Sequence, residues 1–126
     1  MSFTHGQIHW NELATHDVEA AVAYYKDVMG WDIQTEDMPD GPYHMGVMDG
    51  QPMAGIYDIT QIPDMDDVPS HWLTYFAVDD VDTSVAASIK AGGTLLQPAF
   101  DVPMVGRIAM IKDPTGAVIG LMTPAS

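Results

Sequence analysis

Cysteine is absent from the 126 residues, which excludes disulfides as a source of stability. Basic residues are nearly as scarce. Four Lys and Arg, of which Arg107 is the sole arginine, face eighteen Asp and Glu, for a formal net charge of −14. Such a field repels a phosphate backbone, so nucleic acid is not an expected partner. Its bland consequence is solubility, and its functional one is attraction of cations. No apolar run approaches the eighteen or more residues of a membrane helix, so no membrane association is expected. The opening "MSFTHGQ" has neither the basic nor the apolar region of a secretory signal, and a cytoplasmic location is the expectation.

What the chain does have is a hydrophobic fraction of 47%, enough for one compact domain spanning residues 1–126. Helical periodicity appears twice. In "DVEAAVAYYKDVMG" the apolar Val18, Ala21, Val22, Tyr25 and Met29 recur at steps of three and four, with Asp17 and Glu19 at the start and Gly30 at the stop. "DDVDTSVAASIKAGG" repeats the design with Val81, Val85 and Ile89, acids in front, Lys90 in the last turn and Gly92–Gly93 behind. Strand-like runs flank both: "QIHWNELA", "WDIQTE", "PYHMGVM" and "MAGIYDI" around the first, "HWLTYFAV", "TLLQP", "GRIAMIK" and "AVIGLM" around the second. Turn chemistry at "DGQP" (49–52) and "DPTG" (113–116) separates the last two strands of each half. The order is β-α-β-β-β twice, in modules of about 5–60 and 70–124 joined by the exposed connector "TQIPDMDDVPS".

The register of this repeat matters for the site. "HW" at 9–10 matches "HW" at 71–72 on a shift of 62, whereas the helices align on a shift of 63, which pairs Asp17-Val18 with Asp80-Val81 and Gly30 with Gly93. A slip of one residue moves every strand side chain to the opposite face. The helices therefore set the register, in which Trp10 corresponds to Leu73 and Glu12 to Tyr75. The "HW" match is an accident.

With "LATHDVEAAVAYYKDVMGW" opening the first half, "VDDVD…AGG" in the second and "DPTGAVIGLM" closing it, the chain resembles the vicinal oxygen chelate superfamily. That group includes glyoxalase I, extradiol dioxygenases and bleomycin-resistance proteins. The resemblance implies an α+β fold in which two βαβββ modules form a cupped, incomplete barrel with open edges, and it implies a homodimer. In metal-dependent relatives the first and last strand of each half supply one ligand to the cup. Carried over, those positions fall on Trp10, Leu73, Gly120 and either Ile56 or Tyr57, and only Tyr57 is even a weak donor. No resident metal or other cofactor is expected. The remaining metal option would join Glu12 to His44.

Strand alternation puts Glu12 on the face of Trp10, and so in the cup. A carboxylate desolvated there, with its pKa raised, can act as general acid or base; the competing reading is a hydrogen-bond anchor. Tyr75, its counterpart, is the candidate hydrogen-bond donor of the catalytic pair. Trp10 can stack on a planar ligand or simply fill the core. Arg107 can clamp an anion or pair with a surface acid. His44, Tyr57, Leu73, Gly120 and Met122 complete the candidate substrate-binding set. Met45, Met48, Met53, Met104, Met110 and Met122 suggest an adaptable apolar lining. Three functions follow: a glyoxalase-like enzyme of lyase or isomerase type acting on a small carbonyl or aromatic metabolite without the usual metal, a non-catalytic binder that sequesters a small molecule such as a cationic drug, or a metal-dependent lyase or dioxygenase with rearranged ligands.

Overall fold

The structure is a computed structural model and describes residues 3–39, 41–60 and 62–125; Met1 and Ser2 of the opening segment and Gln61 of the connector lie outside the described residues. Both expected modules form, as β1 (Ile8–Thr15), α1 (Val18–Met29), β2 (Asp32–Met38), β3 (Gly41–Met48) and β4 (Gln51–Asp58), then β5 (His71–Ala77), α2 (Val81–Lys90), β6 (Thr94–Val102), β7 (Gly106–Lys112) and β8 (Val118–Pro124). The fold is α+β. The chain divides into two compact units, one of residues 10–72 and one of residues 73–125 joined by 3–9. The opening residues belong with the second unit because Gly6 N–H donates to the Ala77 carbonyl at 2.7 Å and Ala77 N–H to the Gln7 carbonyl at 2.9 Å.

In the first unit the strand order is β2-β3-β4-β1, with β1 parallel to β4 and the other neighbours antiparallel. The helix starts where Asp17 Oδ1 accepts from Ala20 N–H at 3.0 Å, an N-cap that satisfies one orphan donor. It stops at Gly30, whose φ of 71° lets Gly30 N–H reach the Lys26 carbonyl and Trp31 N–H the Tyr25 carbonyl. That turn carries Trp31 back over the helix's last turns. Leu13, Thr15, Val47, Ala54, Ile56 and Ile59 form the buried core. No α1 residue is fully buried, and Tyr24, Val28 and Met29 are about half exposed.

The second unit repeats the order as β5-β8-β7-β6, with β5 parallel to β8. Asp80 caps α2, and Val78, Val81, Ala109, Ile111 and Leu121 make its core. The "DPTG" turn is tied by Asp113 Oδ1, which accepts from Thr115 N–H at 2.8 Å, Thr115 Oγ1 at 2.7 Å and Ala117 N–H at 3.0 Å. These bonds, the Thr115 hydroxyl first, hold the Asp113 carboxyl below its ordinary range. A folded-state value below the unfolded one stabilises the fold above the unfolded pKa, and that contribution is lost as pH falls through the folded one. In a carboxyl-carbon NMR titration Asp113 is expected to titrate below the solvated aspartates, and Thr115→Val to move it upward. A Thr115→Val titration that superimposes on the wild type would contradict this origin.

Among the described residues, no helix is long and apolar enough to cross a membrane. The methionines do not form the expected common lining: Met122 is buried, but Met48 and Met53 are about half exposed and Met104 is 96% exposed, at a turn where its φ is 68°. Turn geometry, not packing, governs Met104.

Candidate functional site

The first unit brings three candidate side chains together on one sheet face. In the parallel pairing Glu12 lies opposite Gly55 and Ala14 opposite Tyr57, so alternation places Trp10, Glu12 and Tyr57 on the face away from Leu13 and Ile56. From β3, Tyr43 reaches the same face. Its hydroxyl donates to Glu12 Oε2 at 2.7 Å and accepts from Trp10 Nε1–H at 3.0 Å. Both bonds are partly buried. A phenol donating to a carboxylate fixes its direction. The indole fixes the phenol in turn, so the carboxylate is presented with little freedom.

Gly55 makes this arrangement possible. A Cβ there would stand 1.6 Å from the Tyr43 hydroxyl and 3.1 Å from Trp10 Nε1. The tyrosine lies across the strand where any other residue would have a side chain. Removing the hydroxyl in Tyr43→Phe leaves a partly buried indole N–H and a carboxylate each short of one partner, and should lower stability by about 1–3 kcal/mol. Equilibrium denaturation checks this, and an unchanged midpoint would mean that water replaces the phenol without loss.

The expectation that His44 joins Glu12 misses by one residue. Tyr43 and His44 point to opposite faces of β3, and His44 Nδ1 instead meets Thr35 Oγ1 at 2.8 Å on the neighbouring β2. The register that selects Tyr43 is altered by a bulge between Gly46 and Val47, which alternation counted along the sequence does not include.

The other candidates belong to the second unit. Leu73, Tyr75 and Met122 are buried. Tyr75 lies opposite Gly120, where a Cβ would come within 2.2 Å of its ring. This pairing corrects the carried-over ligand positions: Tyr75 faces Gly120 as Glu12 faces Gly55, so the first-module equivalent of Gly120 is Gly55 and neither Ile56 nor Tyr57. The turn between β3 and β4, Asp49-Gly50 with both φ values positive, is shorter than its counterpart and accounts for the offset. Arg107 is engaged at the surface, donating through Nε and Nη2 to Asp82 and through Nη1 to Asp101 at 3.1–3.2 Å. These two acids raise its pKa further above the ordinary range.

This fold and site define the class. The chain belongs to the Glyoxalase/Bleomycin resistance protein/Dioxygenase superfamily, whose family model matches residues 7–121. It is 36% identical over 120 residues to "Putative glyoxylase CFP32" of Mycobacterium tuberculosis (strain CDC 1551 / Oshkosh), covering 95% of this chain and 45% of that protein. It is 30% identical over 130 residues to the anthracycline biosynthesis protein DnrV of Streptomyces peucetius, covering 94% of this chain and 47% of that one. The chain thus spans a little under half the length of these curated relatives. Among solved structures, Streptomyces coelicolor methylmalonyl-CoA epimerase in complex with 2-nitronate-propionyl-CoA superposes with a TM-score of 0.69 at 22% identity, covering 98% of this chain and 100% of that one. A hypothetical protein, BH1468 of Bacillus halodurans C-125, gives 0.72 at 7% identity, covering 98% and 97%. At these identities the structural likenesses establish the fold alone.

The superfamily's metal can be tested against the residues that would hold it. Of the ligand positions that the resemblance implies, those in the first unit carry Trp10 and Gly55 and those in the second carry Leu73 and Gly120, and none of these residues offers a lone pair suited to a divalent ion. The indole nitrogen at the first position is a donor committed to Tyr43. Among the described residues no three His, Asp or Glu side chains gather closely enough to hold an ion elsewhere.

Proposed function

We propose that the protein is a glyoxalase-like enzyme that moves a proton on a small carbonyl or aromatic metabolite, with Glu12 as acid/base and without a divalent ion. The observation that carries this reading is the Trp10–Tyr43–Glu12 chain of hydrogen bonds, which holds one partly buried carboxylate in a fixed direction. A carboxylate of this kind can take a proton from the carbon beside a carbonyl, leaving an enolate, and return it to the same or the neighbouring carbon. Tyr75, the second-module counterpart of Glu12, is the proposed hydrogen-bond donor to the substrate. The relative named as a glyoxylase supports the carbonyl substrate, and those named for anthracycline biosynthesis support the aromatic one. A homodimer remains part of the proposal, supported by Leu96 and Phe100, which are exposed on the edge strand β6, and so does a cytoplasmic location.

The test is turnover of a panel of small 2-oxoaldehydes and aromatic hydroxyketones before and after chelator treatment. Turnover that survives chelation and does not rise with Zn²⁺, Ni²⁺, Mn²⁺ or Mg²⁺ supports the proposal. Activity lost to chelator and restored by one of these ions would overturn the metal-free mechanism and favour rearranged ligands. A second reading, capture of a ligand without chemistry, draws on the charge of −14. It predicts binding of a cation that weakens steeply with salt, with no product at any enzyme concentration.

A further inference from the structure

The acidic charge is unevenly distributed along the chain. Residues 10–72 hold thirteen of the eighteen carboxylates, one of the four cations, Lys26, and all three tryptophans. Two of those tryptophans lie away from the Glu12 face. The αL turn at Gly30 stacks Trp31 on Tyr25, with ring centroids 5.1 Å apart and planes 19° from parallel. Trp72 stands at right angles to both, at 86° to Tyr25 and 87° to Trp31, and its Nε1–H donates to the Tyr25 hydroxyl at 3.2 Å. Gly46 leaves room for this corner, since a Cβ there would stand 2.3 Å from the Trp31 ring.

The three rings wall a hollow of about 450 Å³ completed by Asn11, Met29, Met53 and Ala54. That volume suits a small organic molecule. Trp72, Met29 and Met53 are each between 43% and 49% exposed, so the hollow opens to solvent. Asn11 and Ala54 neighbour Glu12 and Gly55 and so face away from Glu12, and Met53 is the extra residue at the irregularity opposite Gly46 and Val47, where alternation does not hold; the hollow is thus separate from the catalytic candidate. No cationic side chain lines it; Lys26 is exposed and outside the wall.

We infer that this hollow binds an organic cation: an alkylated ammonium carried on an apolar or aromatic body. An aromatic wall open to solvent attracts such a group through the ring quadrupoles, and the methionines receive the body. The carboxylates concentrated in the same unit raise the local cation concentration and disfavour anions. A neutral guest of the same shape gains only the apolar contact.

The test uses (4-hydroxyphenyl)trimethylammonium and its neutral isostere 4-tert-butylphenol, titrated into ¹⁵N-labelled protein while the three indole N–H signals are followed. The expected result is saturable shifts of the Trp31 and Trp72 signals with the cation, at least tenfold tighter than with the isostere, and a still Trp10 signal. Met53→Lys, a substitution at an exposed wall residue, should weaken the cation at least tenfold and leave the isostere unchanged. Trp72→Phe, which keeps a ring, should weaken it less than Trp72→Ala. Equal affinity for both compounds, no binding, or movement of Trp10 alone would overturn the inference. So would concentration-dependent Trp31 and Trp72 shifts without ligand, which would mark the hollow as a self-association surface.

Discussion

Replacing Glu12 by Gln is expected to lower kcat by about 10²–10⁴-fold, the range for loss of a positioned general acid or base. The substitution is close to isosteric. Its amide oxygen can still accept from the Tyr43 hydroxyl, so the Trp10–Tyr43 bond and the shape of the face remain. What disappears is the basic oxygen that takes the proton. Ligand affinity should accordingly stay within about threefold, because only transition-state stabilisation is removed. Single-turnover kinetics with a separate binding titration distinguish the two quantities. A variant that turns over normally would show Glu12 to be an anchor for Tyr43 and nothing more.

Gly55→Ala is expected to have the largest effect on the architecture of the site. The new methyl would stand 1.6 Å from the Tyr43 hydroxyl and 2.4 Å from its ring carbon, so the phenol must leave its position. Overpacking of this kind costs about 1–3 kcal/mol, and here the Trp10 and Glu12 hydrogen bonds are broken as well. Activity should fall with stability. Shortening the neighbour in the double variant Gly55→Ala/Tyr43→Leu should restore part of the stability and none of the activity. Such non-additivity is the sign of direct contact, and strictly additive losses would place the clash elsewhere.

These two residues also show how far the sequence is informative. Periodicity and capping residues located both helices, because an N-cap Asp and a stop glycine act over one turn and need no tertiary context. The helix register equates Glu12 with Tyr75, and each of the two lies opposite a glycine on the last strand of its unit, Gly55 and Gly120. Alternation then placed Glu12 with Trp10. It did not find Tyr43, because the β3 register depends on a bulge and on the short Asp49-Gly50 turn. Nor did it find the Tyr25–Trp31–Trp72 corner. That cluster joins a helix, the residue after its cap and a strand more than forty positions away, and no local pattern announces such a meeting. The nearby signal was the concentration of tryptophan and carboxylate in residues 10–72.

The most direct test of the central claim is proton exchange at carbon. Chelator-treated protein, incubated in D₂O with the carbonyl panel, should place deuterium on the carbon beside the carbonyl of its substrate, read by loss of the proton signal in NMR. Glu12→Gln under the same conditions should not. Exchange that appears only after a divalent ion is added, or that persists undiminished in Glu12→Gln, would contradict a metal-free mechanism centred on Glu12.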